Sequence, residues 1–203
     1  MSREHWDTIY STKPADRVSW FRPHLERSLE FIASAALSKA APIIDVGGGT
    51  STLVDDLLDA GYTSVSVLDI SATAIANTQR RLGSRAASVQ WISGDATQVA
   101  LAGPYDFWHD RAVFHFLTDP EARRRYIDRV RAAVRPNGHV LVATFGPEGP
   151  EQCSGLPVVR YTPEQIHAEF GSAFRKVGSA SEIHETPFGG TQQFVYCYCH
   201  MPS

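Results

Sequence analysis

Apolar residues follow two alternating periods along this chain. Short runs rich in β-branched and aromatic residues (Ile43 to Val46, Val65 to Leu68, Ser88 to Ile92, Tyr105 to His109 and His139 to Thr144) read as buried strands. Between them, apolar positions recur at helical spacing. Leu25, Leu29, Phe31, Ile32 and Ala36 mark a helix within residues 23–37, before the first run, and Leu53, Val54, Leu57 and Leu58 mark one after it. Further helices are predicted from Ala72 to Leu82 and from Asp119-Pro120 onward, the latter with Ile127, Val130, Ala133 and Val134 inward and Arg123, Arg124, Arg125, Arg129 and Arg131 on a solvated face. Strand alternating with helix calls for a parallel sheet covered on both faces. The tail breaks this rhythm. After a long loop, 145–160, and a short helix from Pro163 to Phe170, two strand-like stretches (Arg175 to Thr186, Thr191 to His200) flank Pro187-Phe188-Gly189-Gly190 and predict an antiparallel hairpin. The expected class is α/β: a doubly wound, mostly parallel, seven-stranded sheet with a C-terminal antiparallel strand.

Composition narrows the function classes. At 203 residues, 43% of them hydrophobic and 20% charged, the chain suits one domain, with residues 1–40 as a helical flap and first helix and 41–203 as the core. A formal net charge of −3 gives no reason to expect nucleic acid as a partner. The first residues carry no apolar signal segment, and no run approaches the roughly 20 apolar residues that span a bilayer. A cytoplasmic protein without a membrane partner, monomer or homodimer, is expected. Three cysteines do not form a disulfide framework. Cys197 and Cys199 share one face of the last strand, where packing is the default and a metal is not expected.

The most informative stretch is Asp45-Val46-Gly47-Gly48-Gly49-Thr50-Ser51, which leads from a buried strand through a tight turn into a helix. Glycines there tolerate positive φ and let a ligand approach the backbone, and Thr50 or Ser51 is placed to cap the helix. Asp69 ends the second strand, at roughly the 20-residue offset where a carboxylate meets a ribose hydroxyl pair in nucleotide-binding α/β folds. The alternative is a cap for the helix that follows. Near the N-terminus, Trp6 and Tyr10 lie on one helical face, with Trp20 and Phe21 downstream. These rings either anchor the leader to the core or form a flap over a bound cofactor.

In this order and spacing the motifs resemble the class I S-adenosylmethionine-dependent methyltransferases, over almost the whole chain. The residues that carry the likeness are Asp45 to Ser51 after the first strand, Asp69-Ile70 after the second and Gly94-Asp95-Ala96 after the third, together with the terminal hairpin. The pattern Gly47-Gly48-Gly49-Thr50-Ser51-x-Leu53, with Gly61-Tyr62, Asp69-Ile70-Ser71 and the aromatic leader, is similar to a narrower branch that includes lysine methyltransferases of citrate synthase and elongation factors. The resemblance implies a Rossmann-like fold and S-adenosyl-L-methionine as cofactor. It implies that Gly47, Gly48 and Gly49 admit the methionine part and that Asp45 holds its amino group. Asp69, with Ile70, would bind the sugar, Asp95 the adenine amino group, and the Ala96 N–H a ring nitrogen. Asp110 and Arg111 would lie near the reacting methyl. Ser51 stands where the family has a third glycine, and it keeps a helix cap.

Methyl transfer is an in-line displacement that the protein assists by alignment and, for a protonated acceptor, by removing a proton. His115, just past the fourth strand, is the candidate base or acceptor contact, with a packed histidine as the alternative; His109 reads as structural. The loop from Phe145 to Tyr161 reads as a lid. On it, Arg160 is a candidate for an anionic acceptor, Tyr161 for orienting a lone pair, and Cys153 for a thiol-like or metalloid acceptor. The expected acceptor is a small molecule, with a protein lysine as the alternative. A nicotinamide-dependent oxidoreductase is disfavoured by the missing glycine and the closing hairpin, and a cofactor-binding module without chemistry is the remaining reading.

Overall fold

A computed structural model describes residues 2–203. The elements run α1 (Arg3–Thr12), α2 (Glu26–Ser34), β1 (Ile43–Val46), α3 (Leu53–Asp59), β2 (Val65–Asp69), α4 (Ala72–Leu82), β3 (Val89–Ser93), β4 (Tyr105–Arg111), α5 (Pro120–Ala133), β5 (Val134–Phe145), β6 (Gln152–Cys153), β7 (Leu156–Pro157), α6 (Pro163–Phe170), β8 (Arg175–Glu185) and β9 (Thr191–His200). The main sheet has the order β3-β2-β1-β4-β5-β9-β8. Its first five strands are parallel, and β9 is antiparallel to both β5 and β8. Strand order reverses between β1 and β4, so the loops beyond their C-terminal ends diverge and leave a crevice, the usual place for a ligand in such sheets.

Side-chain alternation splits the core into two layers. Ile43, Phe107, Phe145, Phe194 and Tyr196 pack on one face under α1 to α4. Ile44, Trp108, Val142, Val195 and Cys197 pack on the other under α5 and α6. Local chemistry sets the helix boundaries. Asp119 accepts from the Glu121 and Ala122 amides ahead of Pro120, and Thr162 with Gln165 forms a reciprocal capping box on α6. Ser71 caps α4 through the Ala74 N–H. Before α3, Ser51 Oγ accepts from the Leu53 N–H at 3.1 Å, while Thr50 offers its carbonyl to Arg81.

Several boundaries differ from the sequence reading; β5, for one, begins at Val134, expected on the inward face of the preceding helix, rather than at His139. β4 continues past His109 to Arg111, because Asp110 and Arg111 keep backbone partners on their neighbours, Asp110 between Val46 and Val142 and Arg111 beside Ala143. Of the polar side chains that suggested a strand end, Asp110 is buried and Arg111 half-buried. The loop 145–161 is also not open. Residues 152–157 fold into the β6–β7 hairpin around Ser154 and Gly155, both at positive φ as a two-residue turn requires. The Val159 N–H donates to His115 O and the Tyr161 N–H to Phe145 O, which ties the segment to the sheet.

Candidate active site

The crevice at the strand ends holds a pocket of about 710 Å³, mouth included, and the glycine turn forms its floor. Gly47 has φ +69° and donates to Leu68 O at 2.7 Å. A Cβ on Gly47 would stand 2.0 Å from Val113 Cγ2, and one on Gly49 (φ +44°) would press on the Tyr10 hydroxyl and Asp69 Oδ2. Only glycine fits at either position. Gly48 faces the sheet interior, where its hydrogen stands against Asp45 and Val67.

Three acids approach this turn. Asp45, at the register partner of His109, accepts from that imidazole at 2.7 Å, and Ser28 holds the other ring nitrogen at 2.9 Å. All three side chains are buried, so His109 is structural and fixes one carboxylate oxygen of Asp45. The other oxygen, Oδ2, is buried without a partner. Asp69 lies in the pocket wall, and its Oδ1 accepts from the Ser71 N–H at 2.7 Å. Burial pushes its carboxyl up to about 7, partly offset by the Ser71 amide and reinforced by the nearby Asp45 charge. Asp95, with Ala96, lines the far end beyond β3, and its carboxylate accepts from the Thr97 amide and hydroxyl.

The roof comes from the leader. Trp6 stacks on Tyr10 with centroids 6.1 Å apart and meets Trp20 and Phe116 edge-on. Asp7 accepts from the Ser71 hydroxyl at 2.6 Å and the Thr73 N–H, and Asn77 donates to Tyr10 O, so α1 is pinned onto α4. The rings anchor the leader to the core, and Trp6, Tyr10 and Trp20 also line the pocket.

The structure brings Trp6, Tyr10, Trp20, Gly47, Asp69, Ile70, Asp95, Ala96, Arg111 and Cys153 together around this pocket. Asp45 and Gly48 border an adjoining cavity that Gly47 and Arg111 share. Other candidates lie outside both. Asp110 is buried beneath β4, capping the Val113 and Phe114 amides and accepting from the Tyr126 hydroxyl. His115 is fully buried, accepts from the Phe145 N–H at 3.3 Å and is pushed down to about 3 by burial and the Arg111 charge. As a neutral, enclosed imidazole it does not reach the pocket. Tyr161 packs on Phe114 in the opposite core layer, its hydroxyl pushed up to about 12 by burial. Arg160 lies at the surface, capping the Pro147 and Gly149 carbonyls and pairing with Glu151. Of the loop's candidates only Cys153 lines the pocket, and burial raises its thiol to about 12. Sequence reasoning missed Val113, Phe116 and Leu117, which close the pocket beyond β4. Their signal was present in the apolar segment that follows a strand end.

Residues 43–138 match a family model described as a methyltransferase domain. The chain is 27% identical over 143 residues to the eEF1A lysine and N-terminal methyltransferase of Mus musculus, covering 69% of this chain and 20% of that protein. It is 26% identical over 145 residues to the malonyl-[acyl-carrier protein] O-methyltransferase of Halalkalibacterium halodurans, covering 69% and 47%. The chain therefore spans less than half the length of these two relatives. Among solved structures, the N-methyltransferase NodS from Bradyrhizobium japonicum WM9, in complex with S-adenosyl-L-homocysteine, superposes with a TM-score of 0.75 at 15% identity, over 99% of this chain and 98% of that one. With glycine turn, acidic strand ends and closing hairpin in the same order, the chain carries a methyltransferase domain over residues 43–138, in a fold shared with solved S-adenosylmethionine-dependent methyltransferases.

Proposed function

We propose that this chain is an enzyme that transfers a methyl group from S-adenosyl-L-methionine to a small-molecule acceptor. The observation that carries this reading is the meeting of a Cβ-free turn at Gly47 with Asp69 and Asp95 in one roofed pocket, beside the unpaired buried oxygen of Asp45 in the adjoining cavity. The residues fit the cofactor on three counts. Gly47 lets the backbone form the floor against Val113, and Gly49 lets Tyr10 and Asp69 close beside it, where any side chain would collide. Asp45 Oδ2 is a buried acceptor lacking a donor, and the cofactor's amino group supplies one. Asp69 accepts from both ribose hydroxyls once it is ionised. Asp95 and the Ala96 N–H receive the adenine, and Trp6, Tyr10 and Trp20 exclude water above it.

When bound, S-adenosylmethionine supplies an electrophilic methyl group on a positively charged sulfur. The chain's own contribution is alignment within a closed apolar space, rather than proton removal by His115 or by the protonated Cys153 thiol. A lone pair on the acceptor therefore enters already free of its proton. The roof over the pocket supports a small acceptor.

The relatives support a second reading, since those named as eEF1A methyltransferases act on protein lysines by their names. The test is transfer of labelled methyl from S-adenosylmethionine in a cell extract separated into small-molecule and protein fractions. Label in the small-molecule fraction alone is expected. Label confined to protein would replace this reading with the lysine one.

A further inference from the structure

Arg111 ends β4 in the wall between the two cavities, and among the described residues no carboxylate pairs with it. The guanidinium lies 4.0 Å over the Phe194 ring. Its Nε donates to the Tyr196 hydroxyl at 3.4 Å and its Nη1 to Trp20 O at 3.2 Å, both neutral acceptors. Nη2 is buried with no partner. The nearest acid along this network is Glu182, which accepts from the Tyr196 hydroxyl at 2.5 Å and is already paired with Arg22. Arg22 also pairs with the exposed Glu26 at 3.0 Å, so the half-buried Glu182 serves Arg22 directly and reaches Arg111 only through the neutral Tyr196 hydroxyl. An unpaired guanidinium in an enclosed apolar setting is costly, and a bidentate oxyanion is the partner its fork matches best. Its field reaches the pocket: the same charge holds down the proton affinities of Cys153 and His115.

The cofactor brings a second positive charge. Asp45 and Asp69 stand at the glycine turn and the sugar, leaving the Arg111 end without an anion. Building on the methyltransferase reading, we propose that the acceptor bears a carboxylate or similar oxyanion, that this group pairs with Arg111, and that the site thereby selects small acids over an ammonium-bearing lysine. The positive charge for an acidic acceptor comes from Arg111 inside the pocket, not from Arg160 on the rim.

The test uses the full chain, wild type and Arg111→Met, titrated first with S-adenosylhomocysteine and then, saturated, with benzoate, benzamide and benzylamine as matched anionic, neutral and cationic probes. Wild type is expected to bind benzoate about tenfold more tightly than either other probe, the worth of one charge-assisted pair, and Arg111→Met to bring the three within about twofold. In the same proteins, affinity for cationic S-adenosylmethionine relative to S-adenosylhomocysteine rises about fivefold on losing Arg111. Arg111→Lys, which keeps the charge and loses the fork, retains the order of the probes at reduced spread and stands in if the methionine variant does not fold. Equal affinities for the three probes, or none for any, in protein that binds S-adenosylhomocysteine overturn the anion site. No binding of S-adenosylhomocysteine to folded wild type instead rejects the methyltransferase reading on which it rests.

Discussion

On the β1–β3 side of the pocket, the lining glycine and acids sit where a strand turns: Gly47 after β1, Asp69 at the end of β2, Asp95 just beyond β3. On the β4 side, the wall is gathered from separated segments: Trp20 in the leader, Arg111 at a strand end, Phe116 beyond it, Cys153 in a small hairpin, with Tyr196 and Glu182 behind them. The first half is fixed by backbone and by acids held in place. The second is fixed by long-range packing around one unmatched cation. A cofactor shared by many enzymes needs the first kind of site, whereas an acceptor particular to one enzyme can be served by the second.

The largest effect expected is on the backbone-built half. Gly47→Ala forces a side chain to positive φ and into Val113, so cofactor affinity falls by more than about a hundredfold and stability by roughly 2–4 kcal/mol. Calorimetry and denaturant unfolding read the two separately. Adding Val113→Ala removes the collision but not the strain, and it recovers only part of the stability.

Asp69→Asn follows, with S-adenosylhomocysteine affinity reduced about fiftyfold, or roughly 2–3 kcal/mol, because an amide accepts less strongly than a carboxylate. The same residue sets a pH dependence. In the unliganded fold Asp69 holds its proton up to about 7 and Asp110 up to about 6, against 3.8 for an unperturbed aspartate. The fold binds these protons more tightly than the unfolded chain. Their contribution to stability is therefore greatest at low pH and falls as pH rises through 6 to 7. In the proposed role Asp69 binds the sugar ionised, so cofactor binding is expected to run in the opposite sense, releasing a proton near neutrality. Melting curves of wild type against Asp69→Asn check the first, and binding heats in buffers of different ionisation enthalpy check the second.

Smaller effects sharpen the contrast. Trp6→Ala opens the roof and weakens cofactor binding about tenfold, measured by calorimetry, while α1 stays tied to α4 through Asp7. Arg160→Ala touches neither half of the pocket. It leaves cofactor affinity unchanged and costs about 1 kcal/mol or less in denaturant unfolding, since its bonds are to loop carbonyls near the surface and to the exposed Glu151.

The same division explains what the sequence made legible. Glycines, strand-end acids and caps are local signals, so Asp45, Gly47, Asp69 and Asp95 were readable with their elements. Pairing partners extended β4 through Asp110 and Arg111, and no local pattern announced that, because the stabilising neighbours Val46 and Ala143 lie far along the chain. His115 and Tyr161 follow strand ends as site residues do, yet their side chains point into the core. Which way a loop side chain turns depends on what packs above it. The Arg111–Tyr196–Glu182–Arg22 network joins residues from opposite ends of the chain and had no sequence signature.

The most direct measurement is a calorimetric titration of the folded wild-type chain with S-adenosylhomocysteine, repeated with Asp69→Asn. One binding site with a micromolar dissociation constant, greatly weakened in the variant, is the predicted result. Absence of heat in wild type, or equal affinity in both proteins, would contradict it.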